Sequence, residues 1–253
     1  MSKRRVVITG MGIVSPVGSR VDDAWQNVCE GRSGIAPIED FDASAFPTRI
    51  AGLVTDFDVD AYLPAKEQRK NDPFVHYGVA ATIDAIRDSG LEITADNGHL
   101  IGVAMGAGIG GIKYIEDNHN RMLAGGPRKV SPFFIPGSII NMISGQVSIL
   151  QHITGPNLSI VTACATSTHC IGLAARSIEH GDAEVMLAGG AEYATTPLAM
   201  AGFCAARAMS TRNDEPTKAS RPYDVDRDGF VLSNGAGCVV LEELEYAKAR
   251  GAT

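Results

Sequence analysis

Short β-branched runs alternate with longer stretches of helical spacing along most of this 253-residue chain, and few architectures accept that pattern. The apolar runs are Arg5–Thr9, Leu100–Met105, Asn157–Val161, Glu184–Ala188, Phe230–Leu232 and Cys238–Leu241. Between them, helical stretches run from Asp22 or Asp23 to about Glu30, from Pro73 to Ser89, from Ser138 to Leu150, from Thr166 to His180 and from Glu243 to Arg250. Pro73 is a starting residue, and Gly31, Gly90 and Gly181 each follow a helix end. The first strand is expected to end at Gly10-Met11-Gly12 and the fourth at Gly189-Gly190, while Gly106 to Gly111 reads as a flexible loop. Residues 32–63, rich in Pro, Asp and Phe, form a partly irregular excursion. Strands alternating with helices call for a layered α/β fold whose sheet is largely parallel, and a hydrophobic content of 45% is ample for its core.

One junction carries a cysteine. Thr162-Ala163-Cys164-Ala165-Thr166 spans the point where the run from Asn157 stops and a helix begins. First-turn N–H groups lack helical partners and carry partial positive charge, so a helix start favours an anionic sulfur and suits a nucleophile. The competing reading makes Cys164 a small buried apolar residue.

Composition narrows the classes. The five cysteines, Cys29, Cys164, Cys170, Cys204 and Cys238, include no CxxC pair, and no apolar signal segment follows Ser2-Lys3-Arg4-Arg5. Free thiols in a reducing cytoplasm are expected. If Cys164 and Cys170 share one helix, their six-residue spacing separates them by about 9 Å of rise, too far for a disulfide. No run approaches the roughly 18 apolar residues of a membrane span. A net charge of −7 argues against broad nucleic-acid binding. Local basic groups remain: Lys66, Arg69 and Lys70; Arg128 and Lys129; Arg207 and Arg212. These suit either an acidic partner or an ordinary solvated face.

Three motifs imitate ligand sites. Gly106-Ala107-Gly108-Ile109-Gly110-Gly111 fits the dinucleotide fingerprint after a strand, but the acidic residue due about 20 positions on is replaced by the Pro127-Arg128-Lys129 turn. Gly10-Met11-Gly12 is a poorer copy without the third glycine. Asp224-Val225-Asp226-Arg227-Asp228-Gly229 opens like a calcium loop, yet Gly235 stands where its bidentate glutamate belongs. No histidine pair has metal-site spacing. His169 lies about 140° around a helix from Cys164, so it reads as a buried, hydrogen-bonded helix residue and not as that thiol's base.

These residues together resemble the elongating β-ketoacyl-[acyl-carrier-protein] synthases of type II fatty-acid synthesis, over essentially the whole chain. The matching segments are 6–12, 31–35, 106–111, 126–134, Thr162-Ala163-Cys164-Ala165, 202–211 and 227–232. Within the family, Gly108-Ile109-Gly110 and Phe133-Phe134-Ile135-Pro136 look like synthase II. The resemblance implies a thiolase-like fold, a five-stranded mixed sheet flanked by helices, of which residues 1–253 form one of two similar halves. It implies a homodimer, with Phe133 and Phe134 near the partner's acyl pocket and Ile109 bounding that pocket's depth. Cys164 is then the residue that takes the acyl group, and its N–H forms part of the oxyanion hole. Both substrates ride on acyl carrier protein, an acidic partner for which Lys66, Arg69, Lys70, Arg128, Lys129 and Arg207 become docking candidates. No metal or redox cofactor is implied. The family's two catalytic histidines, its lysine and its gating phenylalanine belong to a second half that this sequence does not contain, so this polypeptide alone is expected not to condense and to expose apolar surface. A non-catalytic or polyketide-type ketosynthase subunit is the alternative.

Overall fold

The computed structural model describes residues 4–253; Ser2 and Lys3 of the basic opening lie outside them. In chain order the elements are β1 (Val6–Val14), α1 (Val21–Cys29), β2 (Ile35–Pro37), β3 (Ile50–Gly52), α2 (Ala65–Gln68), α3 (Pro73–Ser89), β4 (Ile101–Gly106) and α4 (Ile112–Gly125). They continue with α5 (Phe134–Ser138), α6 (Met142–Gln151), β5 (Asn157–Leu158), α7 (Thr166–His180), β6 (Val185–Glu192), α8 (Pro197–Ala205), β7 (Gly235–Glu243) and α9 (Leu244–Ala249). Among these described residues, no helix is long and apolar enough to cross a membrane.

Five strands form one sheet in the order β1-β7-β6-β4-β5. β4 runs parallel to β5 and β6, whereas β7 is antiparallel to both β6 and β1. The sheet is therefore mixed, as the family resemblance implies, and less parallel than alternation alone suggests. A strand buried on both faces carries the same apolar run whichever way its neighbour points. Alternate residues of β4 and β6 serve two cores: Val103, Met105, Val185 and Leu187 meet α3 and α6, while Ala104, Met186 and Ala188 meet Cys170, Ala174 and Ile178 of α7.

α3 begins and ends where its punctuation places it. The Asp72 carboxylate accepts the Phe74 N–H at 3.0 Å, Pro73 occupies the first turn, and Gly90 closes the helix at φ 62°. Its small residues Ala81 and Ala85 lie directly on β1. A Cβ at Gly12 would fall onto the Ala81 carbonyl and within 2.7 Å of Ala85 N. This corrects the expectation that β1 stops at Gly10-Met11-Gly12: the glycines are strand residues that admit a helix, not a turn. Likewise β6 runs through Gly189-Gly190, and a Cβ at Gly189 would sit 2.9 Å from Gly237 C on β7. Gly12→Ala is expected to destabilise the fold by about 3 kcal/mol, the upper part of the usual over-packing range. Urea unfolding measures this, and a wild-type midpoint would contradict the close approach.

Other boundaries also shift. The helix expected from Ser138 begins at Met142, since Ser138 ends the separate short α5. The run from Asn157 pairs in the ladder only through Leu158. Phe230–Leu232 forms no strand: Phe230 makes a single bridge to Met209. α4, unassigned from sequence, fills the stretch after the glycine loop. Within the excursion, β2 and β3 pair antiparallel, and Thr48 Oγ1 donates to Ser210 O at 2.9 Å, tying that excursion to the segment after α8.

Candidate active site around Cys164

Cys164 sits on the single 3-10 turn Ala163–Ala165 immediately ahead of α7, not on the helix proper. The α-helix shared with Cys170 is therefore replaced by a turn and a helix. Ala163 holds φ at 51°, a left-handed conformation that costs a residue with a Cβ, and the following thiol is exposed. Thr162 N–H donates to Thr166 Oγ1 at 2.8 Å, locking the turn onto the helix start. α7 spans 15 residues, so its positive end is aimed at this turn.

The turn rests on the carboxyl ends of β4 and β6 because two glycines leave room. A Cβ at Gly106 would lie 2.6 Å from Thr166 Cγ2 and 3.1 Å from Cys170 Sγ, and one at Gly190 would strike Ser167 Oγ. Above them opens a largely apolar cavity of about 610 Å³, lined by Cys164, Ile109, Glu192, Phe203, Phe230 and Leu232 among others. Phe203 and Phe230 meet edge to face at 5.4 Å on one wall. The remaining cysteines are placed differently. Cys170 and Cys238 are buried, and burial pushes both thiols up, Cys238 to about 12. Cys204 is half-buried, and exposed Cys29 ends α1, at the negative pole of that helix.

The structure corrects one reading of His169. It is exposed, not buried, although it is hydrogen-bonded as expected: its Nδ1 lies 2.7 Å from Thr162 Oγ1. Its placement at the edge of the Cys164 turn follows from the helix starting two residues later than Cys164. No histidine is hydrogen-bonded to Cys164 among the described residues.

The glycine loop holds the residue that the sequence did not announce. Glu192, the last residue of β6, accepts the Ile109 N–H at 2.8 Å through Oε2 and the Gly110 N–H at 3.1 Å through Oε1. Burial raises this carboxyl, and hydrogen bonds from Ile109, Gly110 and Gly108 act in the opposite direction. The loop does present N–H groups to an anion, as the dinucleotide mimic suggests, but the anion is the protein's own carboxylate. An acidic residue directly after Gly189-Gly190-Ala191 at a strand end was the available signal.

The remaining sequence-derived residues separate into groups. Ile109 is 39% exposed and reaches the Cys164 cavity. Phe133 and Phe134 do not line it; Phe133 lines another groove with Met142 and Ile149, where Lys70 Nζ lies 5.5 Å from its ring centroid. Lys66 and Arg69 are exposed, and Lys70 pairs with Glu67 at 2.6 Å. Arg128 and Lys129 are exposed on one turn after α4. Tyr114 joins these two groups, since its hydroxyl bonds Arg69 O at 3.3 Å and Ser131 Oγ at 2.9 Å. Arg207 is exposed at φ 54° in the turn after α8, next to Ala208, whose carbonyl accepts the Phe230 N–H at 3.0 Å.

The chain is similar to known proteins over nearly its whole length. Residues 3–247 match the family model described as "Beta-ketoacyl synthase, N-terminal domain". The chain is 61% identical over 252 residues to the 3-oxoacyl-[acyl-carrier-protein] synthase 2 of Vibrio harveyi, covering 100% of this chain and 61% of that protein. A solved β-ketoacyl synthase from Burkholderia phymatum superposes with a TM-score of 0.89 at 36% identity, over 99% of this chain and 62% of the other. The ishigamide ketosynthase/chain length factor superposes at 0.88 and 30% identity, over 100% of this chain and 61% of its own.

Proposed function

The chain belongs to the β-ketoacyl synthase family, and from that premise we propose that it provides the acyl-accepting part of a 3-oxoacyl-[acyl-carrier-protein] synthase of fatty-acid elongation. The observation that carries this reading is the exposed Cys164 on a strained turn at the start of α7, opening into an apolar cavity. Cys164 gives up its proton and its sulfur attacks the carbonyl carbon of an acyl-carrier thioester. The new C–S bond forms as the carrier's sulfur leaves and takes up a proton. The Cys164 N–H, one of the donors at the oxyanion, stabilises the tetrahedral intermediate. The acyl chain then lies in the apolar cavity, with Ile109 on its wall. In the second half-reaction malonyl-carrier loses carbon dioxide, and the resulting carbanion attacks the Cys164 thioester. That step forms the new C–C bond and returns the Cys164 thiolate.

The chain spans 61% of the length of the synthase 2 relative from Vibrio harveyi. In this proposal the residues around Cys164 load the acyl group, and those that polarise the malonyl thioester belong to the further length such relatives have. Incubation with acyl-carrier thioester should yield a thioester on the protein and free carrier thiol. Absence of the protein thioester would overturn the proposal.

Carrier docking falls to Lys66, Arg69, Lys70, Arg128, Lys129 and Arg207, since carrier proteins are acidic. Substituting Arg128 and Lys129 together by Ala should raise KM for the acyl-carrier substrate about fivefold at low salt, and less at high salt. A KM that does not move at low salt removes those two residues from the docking surface. A homodimer with Phe133 and Phe134 at the partner's cavity is part of the same proposal, and it is compatible with neither of them lining this chain's own Cys164 cavity. The chain's likeness to the ishigamide ketosynthase/chain length factor keeps a polyketide-type reading in view. The exposed thiol favours a catalytic subunit over a non-catalytic one.

A further inference from the structure

Glu192 is a half-buried carboxylate that the acyl-transfer chemistry does not use, and it lies where β6, the glycine loop and the Cys164 turn meet. Its two oxygens accept successive N–H groups, from Ile109 at 2.8 Å and Gly110 at 3.1 Å. The loop approaches closely: a Cβ at Gly108 would stand 3.0 Å from Glu192 Oε2 and 3.3 Å from Ala163 O, the carbonyl just before Cys164. Gly110 takes φ 82°, the turn that lets neighbouring N–H groups face one anion. Among the described residues no lysine or arginine forms an ion pair with the carboxylate, and backbone N–H groups of the loop donate to it. The far end of the loop is fixed separately, by Gly111 N–H donating to Ser138 O at 3.0 Å. Between these two anchors Ile109 has little freedom, and its side chain faces the cavity that Cys164 shares.

We propose that Glu192 is a positioning residue that sets acyl-chain selectivity, by holding the Ile109 backbone so that the Ile109 side chain limits the cavity beside Cys164. This rests on the reading of Cys164 as the acyl acceptor. The carboxylate matters because it offers acceptors on both oxygens. An amide of the same size keeps one acceptor and turns an N–H₂ donor towards a backbone N–H, which repels the loop. Glu192→Gln therefore frees Ile109 without changing volume.

The experiment compares wild type, Glu192→Gln, Ile109→Ala and the double variant, each supplied with hexanoyl- and tetradecanoyl-carrier thioesters. Glu192→Gln should change the tetradecanoyl-to-hexanoyl ratio of Cys164 acylation rates in favour of the longer chain, on the order of tenfold for loss of a charge-assisted hydrogen bond. In the Ile109→Ala background the same substitution should leave the ratio unchanged, because the group through which it acts is gone. Amide hydrogen exchange of segment 106–112 is measured alongside and should be faster in Glu192→Gln. An unaltered ratio, an effect that simply adds to that of Ile109→Ala, or unaltered exchange would each overturn the proposal. If wild type itself takes up neither acyl group, the reading of Cys164 fails, and the exchange result still decides whether Glu192 holds the loop.

Discussion

Replacing Cys164 by Ser should slow acyl uptake from an acyl-carrier thioester by at least about a thousandfold. A serine hydroxyl at this position has the same turn and the same helix end, but it is far harder to deprotonate, and no histidine is hydrogen-bonded there among the described residues. The loss therefore isolates the thiol's own contribution. Cys29→Ser is the matched control. Cys29 is also exposed, yet it ends α1 and lines no part of the Cys164 cavity, so this variant should acylate at the wild-type rate. Rates from quenched time courses read by intact mass distinguish the two. Equal rates for Cys164→Ser and wild type would remove Cys164 from the chemistry.

The largest stability effect is expected at the opposite end of the sheet from Cys164. Glu242 on β7 is fully buried and accepts from three donor atoms on two residues, Arg250 and Thr9. Arg250 Nε donates to Glu242 Oε2 at 2.8 Å, Arg250 Nη2 and Thr9 Oγ1 donate to Oε1, and Arg250 Nη2 also reaches Ser89 O at 3.0 Å. One guanidinium thus joins the end of α3, β7 and the turn after α9. Arg250→Ala leaves the carboxylate buried without its counter-charge, which costs about 3–5 kcal/mol. For a domain of this size that lowers Tm by on the order of 10 °C. Pairing Arg250→Met with Glu242→Leu should recover much of the loss, since a well-packed apolar pair often replaces a buried ion pair without penalty. Calorimetry of both variants checks the point. A wild-type Tm for Arg250→Ala would show that Glu242 is not held by this pair.

Local signals in the sequence were reliable where one physical cause dominated. Pro73 and Gly90 bracket α3 because each acts within its own turn, and Gly181 marks the end of α7 for the same reason. Glycines inside strands misled, because sequence cannot distinguish a turn from a place where another backbone comes close. Gly10, Gly12, Gly189 and Gly190 are all of the second kind. The direction of β7 depends on long-range pairing that no local pattern encodes. The placement of Cys164 was legible since a cysteine at the start of a helix is a local fact, whereas its 3-10 turn and the strain at Ala163 were not. Glu192 escaped notice because its partners at Ile109 and Gly110 lie about 80 residues away in sequence and meet it only through the pairing of β4 with β6.

Where the acyl group goes can be read directly. The unaltered chain is incubated with one equivalent of acyl-carrier thioester, its intact mass is taken, and its peptides are mapped before and after hydroxylamine. A single hydroxylamine-labile acyl group on the peptide containing Cys164, with Cys29 and Cys204 unmodified, is the predicted result. No adduct, or acyl groups spread over Cys29 and Cys204 as well, would contradict a nucleophile built by the Ala163–Ala165 turn.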